Sequence, residues 1–217
     1  MIRSFLAASA ATSILLSGCA QEAAPTEEAE ADVPAAQETV ETVAETTTEP
    51  QAPAIGPAVG SKAPAISATL IDGSDVDLSG ISGREGAVLV FSRSLDWCPF
   101  CKTQANDLEA IASDLAEAGY PLSLITYDNI DVLNAYALDA GLTYTLLSDE
   151  NSSVIDGFNL RNADVLADSR FDGIPHPAVI FVSTDGTVEA VLREDGYRTR
   201  PSNEAILAEL ESLTSAE

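Results

Sequence analysis

The chain has 217 residues, and its 35 Asp and Glu against 10 Lys and Arg give a formal net charge of −25. This charge argues against a nucleic-acid-binding protein and against attachment to anionic lipid through basic side chains. Three cysteines and one histidine are too few for a four-ligand zinc site beside any other cysteine chemistry.

The amino terminus has the pattern of an export signal. Arg3 precedes an apolar stretch from Phe5 to Leu16, which is too short to cross a bilayer as a folded helix. The stretch ends in Leu16-Ser17-Gly18-Cys19, which resembles the bacterial lipoprotein signal. The alternative interpretation is an ordinary secretory signal with a chance cysteine. Both interpretations predict a mature protein outside the cytosol, where disulfides persist.

The lipoprotein resemblance implies a signal peptide over residues 1–18 and a lipid anchor on the sulfur of Cys19. It also implies a bacterial cell-envelope location. Ala20, where an aspartate favours retention at the inner membrane, implies delivery to the outer membrane, facing the periplasm. If Cys19 carries lipid, the two remaining cysteines can pair within the chain only with each other.

Residues 19–58 are predicted to form a disordered acidic tether that begins at the lipidated cysteine. From residue 20 onwards the segment has no base and nine acids: Glu22, Glu27, Glu28, Glu30, Asp32, Glu38, Glu41, Glu45 and Glu49. It has no aromatic side chain, so it buries too little apolar surface to offset the entropy cost of ordering. We expect an extended spacer between the membrane and the following domain.

Residues 59–217 are long enough for one domain with a full core. Their pattern predicts an α/β fold in which strands and helices alternate around a mixed sheet. The first predicted elements are a hairpin turning at Asp72-Gly73-Ser74, a buried strand over 87–94, and a helix with Leu108, Ile111 and Leu115 on one face and Gly119 at its end. A buried strand over 121–127, a helix over 130–140 ending at Gly141, a short strand over 144–149 and a short helix over 152–158 follow. The last elements are a hairpin turning at Asp185-Gly186 and a helix opened by Pro201 and Ser202.

Two cysteines follow the first buried strand, in Trp97-Cys98-Pro99-Phe100-Cys101. Pro99 suits the first position of a helix, where its missing N–H costs no hydrogen bond. Cys98 then caps the helix, where unpaired amides and the helix dipole stabilise a thiolate. Cys101 lies one turn later on the same face, within reach of Cys98. The geometry predicts Cys98 as the exposed attacking thiolate and Cys101 as the buried resolving thiol.

A strand, this cysteine pair and a helix resemble the thioredoxin superfamily. Pro177 supports the resemblance, because it directly precedes the buried strand of "AVIFVSTDG", where thioredoxin-like proteins hold a cis-proline beside the cysteines. The first hairpin and the long segment Ala190–Arg200 resemble the alkyl hydroperoxide reductase/thiol-specific antioxidant (AhpC/TSA) branch, with its peroxiredoxin-like proteins. The resemblance implies a thioredoxin-like fold, with a mixed central sheet flanked by helices and an N-terminal β-hairpin extension. It also implies that Pro177 shapes the active site.

Several positions depart from these families. The proline and the threonine or serine that precede the peroxide-reactive cysteine of peroxiredoxins correspond to Phe91 and Leu95, and their arginine before the late strand corresponds to Pro177. The buried aspartate of thioredoxin corresponds to Ser92. Arg93 is a candidate substitute for the missing arginine, although an arginine at a strand end is more often a solvated charge.

Trp97 and His176 are further accessory candidates. Trp97, with Phe100, forms either a docking surface for a partner or packing around the site. His176 can assist proton transfer, but a histidine at a strand edge without a catalytic role is the commoner case. Residue 102 is Lys, so the histidine required for haem attachment is missing. No metal and no cofactor are predicted.

The sequence therefore predicts an enzyme, a membrane-tethered thiol–disulfide oxidoreductase. Cys98 attacks the disulfide of a protein partner, and Cys101 displaces the product. The first alternative is a peroxiredoxin-like peroxidase, in which peroxide oxidises Cys98 to a sulfenic acid and Cys101 resolves it. The second is a copper-handling or redox-inert binding domain. Because Leu95 and Pro177 replace the groups that orient peroxide, disulfide exchange ranks first, and reaction with peroxide is expected to be that of an ordinary reactive thiol.

Overall fold

The computed structural model describes residues 54–215. The predicted signal peptide over 1–18, the lipid site at Cys19 and nearly all of the tether lie outside these residues. Within residues 54–215, no helix has the length and apolar character needed to cross a membrane.

Seven strands form one sheet in the order β2-β1-β5-β4-β3-β6-β7. The strands are β1 (Ala68–Leu70), β2 (Asp75–Val76), β3 (Gly86–Phe91), β4 (Leu122–Thr126), β5 (Thr145–Ser148), β6 (Ala178–Ser183) and β7 (Val188–Leu192). The helices are α1 (Leu78–Ile81), α2 (Pro99–Leu108), α3 (Ala112–Glu117), α4 (Ile130–Ala140), α5 (Ser153–Gly157) and α6 (Asn203–Ser215). Strands β3, β4 and β5 are parallel neighbours, and the other pairs are antiparallel. The predicted mixed sheet with its N-terminal hairpin is confirmed.

The central strand β3 is buried along its whole length. Its alternate side chains enter two separate cores, because residues along a strand point to opposite faces of the sheet. Val88 and Val90 pack with residues of α2, α3, α4 and α6, whereas Leu89 and Phe91 pack with residues of α1 and α5. Helices therefore cover both faces, which explains the continuous apolar run of this strand.

Local signals set the ends of the predicted helix that follows β4. The side chain of Asn129 caps the start of α4 by accepting a hydrogen bond of 3.0 Å from the N–H of Val132. Gly141 ends the helix with a φ of 68°, a left-handed conformation that glycine adopts without steric cost. The sequence predicted both boundaries. It did not predict α1, a single turn capped by the side chain of Asp77.

The prediction of one helix from the cysteines to Gly119 is wrong, because the structure divides it into α2 and α3. At the division, three successive N–H groups, those of Glu109, Ala110 and Ile111, bond to carbonyls three residues earlier. This tighter pattern interrupts the α-helix. Contacts from other elements hold the break, since the carboxylate of Glu109 accepts hydrogen bonds from the N–H and hydroxyl of Thr143 at 2.8 and 2.6 Å.

Candidate active site

Cys98 and Cys101 form a disulfide at the start of α2. Cys98 is the residue that caps the helix, and Pro99 occupies its first position. The N–H of Cys101 donates to the sulfur of Cys98 at 3.3 Å and also to the carbonyl of Cys98 at 3.1 Å, so an amide of the first turn faces that sulfur. The predicted pairing and helix position are confirmed.

Both cysteines are buried, with Cys98 1% exposed and Cys101 fully enclosed. The prediction that Cys98 is exposed is therefore wrong for the disulfide form. Both side chains belong to the core cluster that includes residues of α2 and α3. The segment after β7 also folds back over the start of α2. It brings the ring of Tyr197 to 6.0 Å from that of Phe100 and the guanidinium of Arg200 to the sulfur of Cys101.

Arg200 is the charged group in hydrogen-bond contact with the cysteine pair. Its Nη2 lies 3.5 Å from Sγ of Cys101, and its Nε donates to Oε1 of Gln104 at 3.1 Å. Nη1 donates to the backbone carbonyls of Tyr197 and Thr199. Burial, together with the nearby charge of Arg93, lowers the pKa of Arg200 to about 10. Arg200 was not among the predicted site residues, because Cys101, the residue it contacts at the site, lies 99 positions earlier in the chain.

Arg93 follows β3 and lies between two aromatic rings rather than in solvent. Its guanidinium carbon is 5.0 Å from the centre of the Trp97 ring and 4.5 Å from that of Tyr197, which are cation–π distances. Burial lowers the pKa of Arg93. Its Nε is buried and has no hydrogen-bond partner among the described residues. The expectation of a fully solvated charge is wrong, and within residues 54–215 the Nε–H of Arg93 is left without a partner beside Trp97.

Trp97 belongs to the packing around the cysteines. Its Nε1 donates to the hydroxyl of Tyr127 at 3.0 Å, and that hydroxyl donates to the carbonyl of Arg170 at 2.8 Å. Its ring meets Phe171 edge to face at 4.7 Å. Phe100, in contrast, is 39% exposed. Of the two aromatic residues of the motif, Phe100 is the one that offers surface to a partner.

Asp128, which the sequence analysis did not select, holds the loop that leads to Cys98. Its carboxylate accepts hydrogen bonds from the N–H of Leu95 at 2.6 Å, from Ser94 at 2.8 Å and from Thr126 at 3.0 Å. The residue is 8% exposed, and burial raises the pKa of its carboxyl group. One signal pointed to it, since Asp128 follows β4, and the carboxyl ends of the parallel strands β3 and β4 meet at the same edge.

Pro177 and His176 lie before β6, at the end of the sheet that carries the cysteines. Pro177 is buried and adjoins Ala178, which pairs with Phe91 at the end of β3. The N–H of His176 donates to the carbonyl of Leu160 at 2.6 Å. Burial lowers the pKa of His176, and the charge of Arg193 adds to this effect. The roles proposed for these two residues stay predictions.

Comparisons with known proteins agree with this arrangement. A sequence model of the AhpC/TSA family matches residues 59–191. Peroxiredoxin Bcp of Escherichia coli (strain K12) is 28% identical over 148 residues, which cover 68% of this chain and 92% of that protein.

Two solved structures have a similar fold. Peroxidoxin BcpB from Mycobacterium tuberculosis has a TM-score of 0.62 at 18% identity, over 76% of this chain and 99% of that one. A peroxiredoxin-like protein from Aquifex aeolicus has a TM-score of 0.60 at 19% identity, over 73% of this chain and 90% of that one. The thioredoxin-like fold predicted from the sequence is confirmed.

Proposed function

The chain belongs to the AhpC/TSA family, and from that premise we propose that it is a thiol-dependent peroxidase in which Cys98 reacts with peroxide and Cys101 resolves the product. Family membership carries the coarser conclusion, an oxidoreductase enzyme that works through thiols. The finer proposal reverses the ranking drawn from the sequence, which placed exchange with protein disulfides first. The relative from Escherichia coli is itself a peroxiredoxin, and this supports the reversal.

The burial of Cys98, which is 1% exposed, is the structural observation that carries the proposal. A disulfide on a folded partner must place one sulfur in line with the attacking thiolate, and this requires an open surface around it. A peroxide needs room for only two oxygens and a small substituent. A buried sulfur therefore favours a small substrate over a protein disulfide.

The groups around Cys98 provide what its thiolate and a peroxide require. The N–H of Cys101 already donates to the sulfur of Cys98, and the positive end of α2 favours negative charge there. Arg93 has an unpartnered Nε beside Trp97. We assign to Arg93 the role of orienting the peroxide by hydrogen bonding. The side chains of Leu95 and Pro177, at the positions where peroxiredoxins carry such groups, cannot do this. Preorganised donors of this kind stabilise charge that develops in the transition state.

The proposed reaction has two steps. The Cys98 thiolate attacks one peroxide oxygen, the O–O bond breaks, and the other oxygen leaves as water or an alcohol after it gains a proton. Cys98 is then a sulfenic acid. The Cys101 thiolate attacks that sulfur, the S–O bond breaks, and hydroxide leaves and gains a proton. The product is the Cys98–Cys101 disulfide that the structure contains.

Stopped-flow fluorescence of the reduced protein mixed with peroxide tests this function, since Trp97 is the only tryptophan of the chain and lies next to Cys98. We expect a fast second-order phase that is lost in Cys98→Ser. It should persist for one turnover in Cys101→Ser, because resolution follows oxidation. Arg93→Gln should slow the same phase.

The contrary result is a phase no faster than that of an ordinary reactive thiol, together with rapid reduction of a protein disulfide such as insulin. That result would restore thiol–disulfide exchange as the function. Thiol–disulfide exchange is the second candidate function because the structure has a Cys-x-x-Cys disulfide at the start of a helix.

A further inference from the structure

Arg200 faces the sulfur of Cys101 rather than that of Cys98, and this position points to the recycling half of the reaction. Nη2 of Arg200 lies 3.5 Å from Sγ of Cys101. In a disulfide this sulfur is nearly neutral and accepts only a weak hydrogen bond. In the reduced protein the same sulfur can carry a full negative charge, and charge-assisted hydrogen bonds are about twice as strong as neutral ones.

The remaining donors of Arg200 fix its guanidinium in this direction. Nε is held by Gln104, and Nη1 is held by the backbone carbonyls of Tyr197 and Thr199. Because the guanidinium is planar, these contacts determine where Nη2 points. The donor is therefore in place before any charge develops on Cys101, and no reorganisation is required when it does.

Among residues 54–215, no carboxylate compensates this charge in the disulfide form, since neither Arg200 nor Arg93 belongs to an ion pair. Two partly buried guanidinium groups close enough to affect each other are costly without a counter-charge. A thiolate formed at the cysteine pair supplies that counter-charge.

We propose that Arg200 is a catalytic residue of disulfide reduction, which stabilises Cys101 as the departing thiolate and makes the Cys98–Cys101 disulfide more easily reduced. A thiolate of the reductant, a dithiol small enough to reach this buried sulfur, attacks Sγ of Cys98. The Cys98–Cys101 bond breaks, and its electron pair passes to Sγ of Cys101, against Arg200. The second thiol of the reductant, deprotonated, then attacks the reductant sulfur of the mixed disulfide and releases the Cys98 thiolate. The reductant loses two electrons and becomes a disulfide.

This assignment rests on the proposed function in one respect, because a peroxidase must reduce its disulfide at the end of each cycle. Its consequence for the equilibrium is independent of peroxide. A group that stabilises the reduced form of a pair makes its disulfide the stronger oxidant. Removal of the guanidinium should therefore shift the thiol–disulfide equilibrium toward the disulfide.

The test is equilibration of the full-length protein with defined ratios of reduced and oxidised glutathione, followed by Trp97 fluorescence. We expect Arg200→Gln to shift the equilibrium constant about tenfold toward the disulfide, the size of one hydrogen bond to a charged group. Arg198→Gln is the matched control. It removes the same charge from the same segment, but Arg198 contacts the Tyr197 ring and hydroxyl rather than sulfur, so its equilibrium should stay close to that of the wild type.

A second variant, Gln104→Leu, keeps the charge and removes the acceptor that orients it, so we expect a smaller shift in the same direction. It decides the question if Arg200→Gln fails to fold. Equal shifts in Arg200→Gln and Arg198→Gln, or no shift in Arg200→Gln, would overturn the role of Arg200. If Arg200→Gln does not fold, the absence of a shift in Gln104→Leu would overturn it. Slow reaction with peroxide together with the expected shifts would overturn the peroxidase function alone.

Discussion

Asp128 takes no part in the proposed reaction, but it holds the loop that positions the reactive Cys98. Its carboxylate accepts hydrogen bonds from the backbone and side chain of the loop between β3 and α2. The hydroxyl of Ser94 in turn accepts from the N–H of Asp96 at 3.0 Å. The position of Cys98 thus depends on a chain of bonds that begins at the end of β4.

We expect Asp128→Ala to lower the free energy of unfolding by about 3 kcal/mol, because three buried donors lose their acceptor. The rate of Cys98 oxidation by peroxide should also fall, since the loop before the cysteine is no longer held. Urea denaturation and stopped-flow fluorescence measure the two effects. Asp96→Ala is the control, because Asp96 is exposed, and its effect on stability should be within about 0.5 kcal/mol. Equal losses in both variants would contradict this role of Asp128.

The sequence identified the site residues that have a local signature. Cys98 and Cys101 are marked by their spacing and by Pro99, and Arg93 is marked by its place after a buried strand. Arg200 has no such mark, because it reaches the site from a loop almost one hundred positions later in the chain. The burial of Cys98 was also missed, because Cys98 packs in a core cluster with side chains from distant elements such as α4 and α6.

Most helices and strands were predicted from local sequence signals, whereas features held by distant residues were not. Helix α4 was predicted over 130–140 with its end at Gly141, and the structure shows a local signal at each end, the capping side chain of Asn129 and the left-handed Gly141. The break between α2 and α3 was not predicted. Contacts with Thr143 and Asn203, which lie outside the helix, hold it. Apolar periodicity along one segment carries no information about such partners.

Helix α4 provides a test of the local signal itself. Asn129→Ala should lower the free energy of unfolding by about 1 kcal/mol, the usual effect of losing a side-chain cap. Asn134→Ala is the matched control, because Asn134 is exposed within the same helix. This second change should be neutral or slightly stabilising, since alanine has the higher helix propensity. If both substitutions had the same effect, the hydrogen bond from Val132 would have no part in setting the start of the helix.

At the scale of the whole molecule, the distribution of charge separates the site from the rest of the chain. The formal net charge is −25, yet two partly buried guanidinium groups lie near the cysteines. That of Arg93 contacts the Trp97 ring, and that of Arg200 reaches the sulfur of Cys101. A local positive field favours a thiolate. The net charge alone gave no indication of a cationic site.

The acidic composition also determines how the protein can be held at a membrane. The net charge disfavours attachment to anionic lipid through basic side chains, whereas a covalent lipid anchor does not depend on that charge. Leu16-Ser17-Gly18-Cys19 after an apolar stretch is the sequence basis for proposing one on Cys19, with removal of residues 1–18. A single acyl chain gives only marginal binding, and stable anchoring needs more than one.

We therefore expect mass spectrometry of the membrane fraction to find a mature protein that begins at Cys19 and carries lipid on it. Cys19→Ala should remove the protein from that fraction and leave its amino terminus uncleaved at this position. The double variant Cys98→Ser, Cys101→Ser is the control, because it removes the same chemical group from the chain but retains the signal, and it should stay lipidated. A soluble mature protein with an unmodified Cys19 would refute the anchor. The proposed peroxidase would be unaffected by that result, since the residues assigned to it lie between positions 93 and 200.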